Sequence, residues 1–423
     1  TNTTLRGGYG IFYGLSPTDA SGTGGGFSDG FTMATGIITS LDGVTPIANV
    51  ANPFPDGIRM PPSREGLTPD LLLGAGHSST VLSLATPYFQ QWNFSIQQGL
   101  GQSLLLEIAY SANKGTRTTL GSVSLNALTP EQLARGVENQ QLVPNPFYNV
   151  ITDPTSALSR PTVTRGQLIR LFPQYTAVNA TYPTLGSMIY HSMRAKVEKR
   201  MSRGFTVLAS YTAGKNINDS SQNAIGGNAS IQDHWNRQLD RSLDTQDVSQ
   251  RLVISGVWEA PIGRGRAIGG GWNRALDLLL GGWQFNGIAS FQTGFPLTMS
   301  SIGASRPNRV AKGEKLTGPV QQRLNRYFDT SAFAVPAAFT YGNSSRTAPD
   351  LRAPGINNFD LSMFKSFQIL ERLRAQLRLE SFNAFNRVQF AAPNTQAGST
   401  GFGVINAQQN TPRQLQLALK LLF

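Results

Sequence analysis

Three histidines, His77, His191 and His234, are the chain's only imidazoles, and none falls in a metal-ligand spacing such as HExxH. Cysteine is absent, which removes thiolate metal sites, disulfides and cysteine nucleophiles together. Gly76-His77-Ser78-Ser79-Thr80 lacks the second glycine of a GxSxG elbow. Gly263-Arg264-Gly265-Arg266-Ala267-Ile268-Gly269 misses the dinucleotide-binding spacing by one residue and reads as a basic turn. No Walker loop occurs. The expectation is a chain with no catalytic, cofactor or metal residues, and not an enzyme. What does recur is charge at every second position. Arg194, Lys196, Glu198 and Arg200 make one row, and Arg372, Arg374, Arg378 and Glu380 make most of another. Residues two apart share a face only on a strand. The chemistry on offer is therefore that of a charged strand face: cross-strand pairing, hydration, or contact with a polar partner.

The residues between those charges build the opposite face. Met193, Ala195 and Val197 alternate with the first row, and Leu373, Ala375, Leu377 and Leu379 with the second. His191 falls on the apolar side beside Met193, which favours packing over ligation. The pattern is clearest at the C-terminus, where Leu415, Leu417, Leu419, Leu421 and Phe423 oppose Gln414, Gln416, Ala418 and Lys420. Phe205 to Tyr211 and Trp92 to Ile96 repeat it. Leu5–Tyr13, Leu104–Tyr110, Leu252–Trp258, Trp283–Phe291 and Phe359–Phe367 follow it more loosely. About ten strands of roughly ten residues result, the length that crosses a bilayer at a tilt.

Composition agrees with a β-rich chain. Of 423 residues 44 are Gly and 24 Pro, which excludes a coiled coil or helical repeat, and 39% hydrophobic content is ample for burial. No stretch offers about 18 consecutive apolar residues, so a helical membrane protein is excluded as well. The nearest candidate, Leu278 to Ser305, is broken by Gln284, Asn286, Gln292 and Pro296.

The connections alternate in length. Leu100–Ser103, Ser202–Gly204 and Leu370–Glu371 are tight, and the stretch near Pro261–Gly282 is somewhat longer. The others, about Gly14–Pro87, Asn113–Gly186, Lys215–Asp247, Pro296–Asn357 and Ala391–Thr411, are long and polar, with Gly22–Gly26 suggesting mobility in the first. All tight turns thus fall at one end of the sheet, as in outer-membrane barrels with short periplasmic turns and long external loops. Tyr13, Tyr110, Tyr211, Trp92, Trp283 and Phe423, near strand ends, fit an interfacial girdle. A soluble antiparallel protein would also alternate, with its apolar face as core.

The balance of 36 Lys and Arg against 24 Asp and Glu leaves +12. The positive residues are spread over strands and loops with no recognisable nucleic-acid fold, so no nucleic-acid partner is expected. Lys199, Arg200, Arg203, Arg264 and Arg266 gather near the proposed periplasmic turns.

Several stretches resemble the C-terminal barrel of TonB-dependent outer-membrane receptors, in particular the Oar-like ones that carry a carboxypeptidase-regulatory-like domain. They include LRGGYGIFYG (5–14), QQWNFSIQQGL (90–100), AKVEKRMSRGFTVLASYTAGKNIND (195–219), DVSQRLVISGVWEAPIGRGR (247–266), GGWQFNGIASFQTGFPLTM (281–299) and LRLESFNAFNRVQF (377–390). YTxxKxxxD and ESFNxFNR weigh most. The terminal LQLALKLLF resembles the signal read by the barrel assembly machinery, through Leu415, Leu417, Leu419, Leu421 and Phe423. The resemblance implies an all-β transmembrane antiparallel barrel in the outer membrane of a Gram-negative-type bacterium. It further implies that residues 1–423 are about ten C-terminal strands of a family-typical 22-stranded barrel. Signal peptide, N-terminal β-domain, TonB box and plug would lie outside this chain, which opens at Thr1 without a leader. Implied partners are outer-membrane lipid and lipopolysaccharide, the assembly machinery, the plug and through it TonB, and a transported ligand. The two charged rows would face the lumen and meet the plug or the substrate path. The alternatives are a passive porin-like barrel and a secreted soluble adhesin.

Overall fold

The computed structural model describes residues 2–14, 35, 39–40, 43–47, 49–55, 57–58, 60–61, 70, 72–80, 85–181, 183–219, 231–303, 306–370 and 372–423. Gly22–Gly26 and the turn residue Glu371 lie outside them. Ten long strands form one antiparallel wall: β1 (Thr3–Tyr13), β2 (Tyr88–Leu100), β3 (Leu104–Thr118), β4 (Gly186–Ser202), β5 (Phe205–Asn218), β6 (Gln250–Glu259), β7 (Trp283–Gln292), β8 (Ile356–Leu370), β9 (Leu373–Phe382) and β10 (Gln414–Leu422). Each pairs with its neighbours in sequence. Among the described residues β1 and β10 each have a partner on one side only. No described helix is long and apolar enough to cross a membrane, and the long elements are strands.

Register decides which residues share a face. One row runs Leu5, Ile96, Ile108, Ala195, Tyr211, Leu252 and Phe291 across seven strands. At the other edge Leu377 faces Leu419 and Leu379 faces Leu417. Among the described residues most of this apolar face has no second layer upon it: Ile108, Met193, Ile96 and Leu377 are exposed, and Leu417 is 73% so. A soluble sheet would have buried these side chains in its core. Here the hydrophobic face points outward, as a surface solvated by hydrocarbon requires.

The turn between β4 and β5 shows how local sequence sets this register. Arg203 (φ 52°) and Gly204 (φ 76°) are both left-handed, the two-residue turn whose twist matches that of flanking strands. A Cβ on Gly204 would also lie 2.8 Å from the Glu259 carbonyl oxygen. Counting this one, three connections at this end hold only two or three residues. The fourth, between β6 and β7, holds a helix, α1 (Arg274–Leu280), where the sequence suggested only a longer turn.

The core lies in the long connections, not in the wall. Leu297, Met299, Phe328, Phe333 and Leu351 of the β7–β8 connection pack with Ile405 of the β9–β10 connection, and Phe328 meets Phe402 edge-on at 5.3 Å. Leu120, Val123 and Ala180 form a second cluster and Ile151, Leu158 and Val163 a third. Around the second cluster, strand Gly76–Thr80 pairs in parallel with Ala177–Thr181, which also pairs with Ser122–Ser124. The expectation of simply polar loops is thus corrected: apolar residues spaced without period along them converge into cores. The strands also run further than expected, β3 to Thr118 and β5 to Asn218, so the connections begin later.

Candidate functional site

The polar face of the wall carries the charged rows. Arg194 Nη2 donates to Glu107 Oε1 across the β3–β4 pair, and Gln97 Nε2 donates to Glu107 Oε2. Arg6 Nη1 donates in turn to Gln97 Oε1 at 2.8 Å, so one chain of contacts spans β1 to β4. Lys196 pairs with Glu198 at 2.9 Å, and Arg200 lies 3.8 Å from the same carboxylate. On β9, Arg374 Nε donates to Gln368 Oε1 (3.3 Å) and Arg378 Nε to Gln376 Oε1 (2.8 Å). The Arg378 guanidinium also sits 4.8 Å over the Phe364 ring. Arg372 stands in the turn before β9, exposed, and not within the strand. Four strands separate the two rows, so the structure gathers the first around Glu107 and leaves the second apart. Glu107 was missed because it is the single charge in the stretch Leu104–Tyr110; only the contact with Arg194 on the neighbouring strand reveals it.

Glu380 opens onto a groove of about 390 Å³ on the polar face, across β5 to β9. Asp360 and Glu380 supply its acidic side, while Leu208, Ile288 and Phe382 supply an apolar floor.

At the long-loop end, buried ion pairs lock one connection onto another. Arg306 pairs with Asp240, both side chains nearly inaccessible (7% and 4%). Arg346 Nη2 donates to the Asn218 carbonyl (3.1 Å) and to its side chain, and Nε donates to the Asp240 carbonyl (3.3 Å). Burial lowers the pKa of the Arg346 guanidinium below the ordinary arginine value, with Asp244 and Asp240 opposing. Arg352 grips Asp247 through side chain and carbonyl, and Arg309 pairs with Asp350. Tyr327, 2% exposed, donates to the Arg352 carbonyl at 3.0 Å, and burial pushes its phenol up to about 12. None of these residues was legible as a site, because the partners lie as far as 128 residues apart and mostly in aperiodic loops.

The two signature patterns prove to be anchors for these loops. In YTxxKxxxD, Asp219 Oδ1 accepts from Ser187 N at 2.6 Å, tying the end of β5 to the start of β4. Asp247 accepts from Asn216 N at 2.6 Å on the other side. In ESFNxFNR, Asn383 and Asn386 are left-handed (φ 49° and 51°). Asn383 Oδ1 accepts from Arg387 N (2.8 Å), its own N–H donates to Asp360 Oδ1 (2.9 Å), and Asn386 Oδ1 accepts from Arg413 N (2.9 Å). Asparagine tolerates this conformation and bonds its neighbours, so the pattern is a turn chemistry.

The histidines stay apart. His191 sits on the apolar face, where Tyr110 Oη lies 2.7 Å from its Nδ1 and Trp92 packs on it edge-on. His77 is on the Gly76–Thr80 strand and His234 in the β5–β6 connection, half-buried. Among the described residues no three His, Asp or Glu stand together as a metal site. At the C-terminus Leu415, Leu417, Leu419 and Leu421 are exposed on the apolar face and Phe423 is 93% exposed beyond β10.

Among solved structures, the chain resembles the outer membrane transporter YddB from Escherichia coli (9% identity, TM-score 0.41, covering 83% of this chain and 34% of that one). It also resembles the ferric-catecholate import receptor Fiu from K12 E. coli (10%, 0.39, 100% and 33%) and the pyoverdine receptor FpvA from Pseudomonas aeruginosa PAO1 (13%, 0.35, 80% and 30%). The chain spans about a third of the length of each. No curated protein matches its sequence. The model of the outer membrane beta barrel domain matches residues 1–416. An exposed apolar face, a polar face opposite it and connections sorted by length are the features that this match explains, and the chain belongs to the outer membrane β-barrel domain family.

Proposed function

We propose that the chain is the C-terminal wall of a TonB-dependent outer-membrane receptor that takes up its ligand actively. The observation that carries this reading is a ten-stranded wall with two strands, β1 and β10, each paired on one side only among the described residues. An unpaired edge is poorly tolerated in a bilayer, so further strands are needed to close the ring. A complete ten-stranded porin would instead pair β1 with β10. In this reading the signal peptide, N-terminal β-domain, TonB box and plug belong to the polypeptide outside residues 1–423. The packed external connections would capture ligand and meet lipopolysaccharide, since loops on a rigid scaffold carry recognition. The rows around Arg194 and Arg374 would face the plug or the ligand path, and plug movement driven through TonB would release the ligand inward. Leu415 to Phe423 would be read by the barrel assembly machinery.

The test is ligand accumulation from complex medium, profiled by mass spectrometry, in cells with and without the untruncated protein and with and without TonB. The receptor reading expects some solute whose uptake requires both. Uptake that needs the protein but not TonB would indicate a passive channel, and release of the protein from membranes without detergent would indicate a secreted adhesin.

A further inference from the structure

The connection between β6 and β7 is the one at the short-turn end that is neither short nor polar. Its helix α1 is held at the start by Asn273, whose Oδ1 accepts from Leu276 N at 2.8 Å. Asp277 Oδ1 accepts from Arg264 N at 2.7 Å, folding the preceding glycine-rich turn against the helix. Lys365 fixes where this unit sits. Register puts Lys365 on the apolar face, opposite Trp283 and Leu377, yet it is 3% exposed. Its Nζ donates to the carbonyls of Leu279 (3.2 Å) and Gly281 and lies 4.9 Å over the Trp283 ring. The end of α1 therefore folds back over the outward face of the wall, not into the lumen. A lysine that would otherwise have to snorkel from hydrocarbon is satisfied by helix-terminal carbonyls.

Two further observations say what covers the rest of the helix. Leu276, Leu278, Leu280 and Ile268 are exposed, and Leu279, whose carbonyl Lys365 holds over the outward face, is 68% so. The stacked pair Trp258–Phe285, 5.6 Å apart, lies on the apolar face near the short-turn end of β6 and β7, and aromatic rings are enriched at bilayer interfaces. Arg264, Arg266 and Arg274 border a polar cavity of about 930 Å³ at the rim, which reaches Gln284, Arg374 and Gln376 of the polar face on one side and Trp283 and Leu278 on the other. Arg266 lies 3.6 Å from Glu259, whereas Arg264 and Arg274 have no ion pair among the described residues. Exposed leucines beside an outward-facing wall, with arginines in the same connection, are the composition of an interfacial segment.

We propose that this connection is a membrane anchor at the periplasmic rim: the leucines of α1 enter the periplasmic leaflet, and Arg264 and Arg274 bind phospholipid phosphates. The inference rests on membership in the outer membrane barrel family and on the short turns being periplasmic.

Spin labelling tests it in the untruncated protein, in an otherwise cysteine-free background, reconstituted into vesicles of phosphatidylcholine with or without phosphatidylglycerol. Leu279→Cys and, as a second variant, Leu276→Cys carry the label on α1. Leu417→Cys marks the lipid-facing wall and Val310→Cys an aqueous loop. The α1 labels should be more accessible to oxygen than to a water-soluble nickel chelate, as at Leu417 and opposite to Val310. The double variant Arg264→Gln/Arg274→Gln should lose the preference of the protein for phosphatidylglycerol in copurified lipid. Chelate-accessible α1 labels beside a lipid-immersed Leu417 would overturn the anchor, as would spin–spin broadening that places a second copy there. Unchanged lipid preference would overturn the headgroup contact. A chelate-accessible Leu417 would contradict the barrel reading itself and this inference with it.

Discussion

Replacing Asp240 by Ala tests whether the external connections form one packed platform. Asp240 and Arg306 join the β5–β6 connection to the β7–β8 connection, and both side chains are buried. Removing the carboxylate leaves the guanidinium charge in a low-dielectric site, a change that costs about 3–5 kcal/mol. At about 1.4 kcal/mol per factor of ten, the opened platform should become more populated by roughly two to three orders of magnitude. The strands keep their own hydrogen bonds, so opening is local. Hydrogen exchange read by mass spectrometry should show lost protection over 231–249 and 306–355, with β6 to β9 unchanged. The internal control is Arg326→Ala, whose partner Asp329 is solvent-exposed like Arg326 itself (51% and 36%). An exposed pair of this kind contributes about 0–1 kcal/mol. Combining Asp240→Ala with Arg306→Met should restore part of the protection, because the stranded charge is gone. If Asp240→Ala and Arg326→Ala gave the same exchange pattern, the locking role assigned to the buried pair would be refuted.

Three further outcomes are expected. If the chain is the receptor wall proposed above, reversing Arg374 and Arg378 to Glu in that receptor should loosen plug retention, seen as higher single-channel conductance; unchanged conductance and uptake would remove the role proposed for that row. Phe423→Ser should lower the fraction of protein that reaches the outer membrane as a heat-modifiable band several-fold, while an unchanged fraction would show that the terminal aromatic is not part of the assembly signal. His234 gives a pH dependence: burial holds its imidazole below the ordinary histidine value, with Asp233 and Asp240 pulling upward. The folded loop then binds a proton less readily than the unfolded one, so the stabilisation is present above about pH 6.5 and lost as pH falls through the depressed value. Protease nicking of 231–249 should rise on acidification, and His234→Gln should flatten that rise.

Much of the wall was readable because a strand face is a period-two signal. Trp92–Ile96, Phe205–Tyr211 and Leu415–Phe423 each declare their two sides, and the register of Leu377 opposite Leu419 only aligns what alternation had already sorted. The loops were unreadable for the converse reason. Phe328, Leu351 and Ile405 obey no period and meet only in three dimensions. Lys365 is the instructive exception within a strand: alternation puts it among apolar residues, and the carbonyls that satisfy it come from a helix some eighty residues earlier. Asp219 and Asn383 were visible as parts of patterns, but their physical role as loop anchors came from the hydrogen bonds they make.

The central claim is that the apolar face of the wall meets lipid and the polar face meets water. Single cysteines placed in turn from Gln414 to Leu422, in the protein as it sits in outer membranes, should react with an aqueous maleimide at Gln414, Gln416, Ala418 and Lys420. Leu415, Leu417, Leu419 and Leu421 should remain shielded. Reactivity without a period of two, or with the two sets exchanged, would contradict the account.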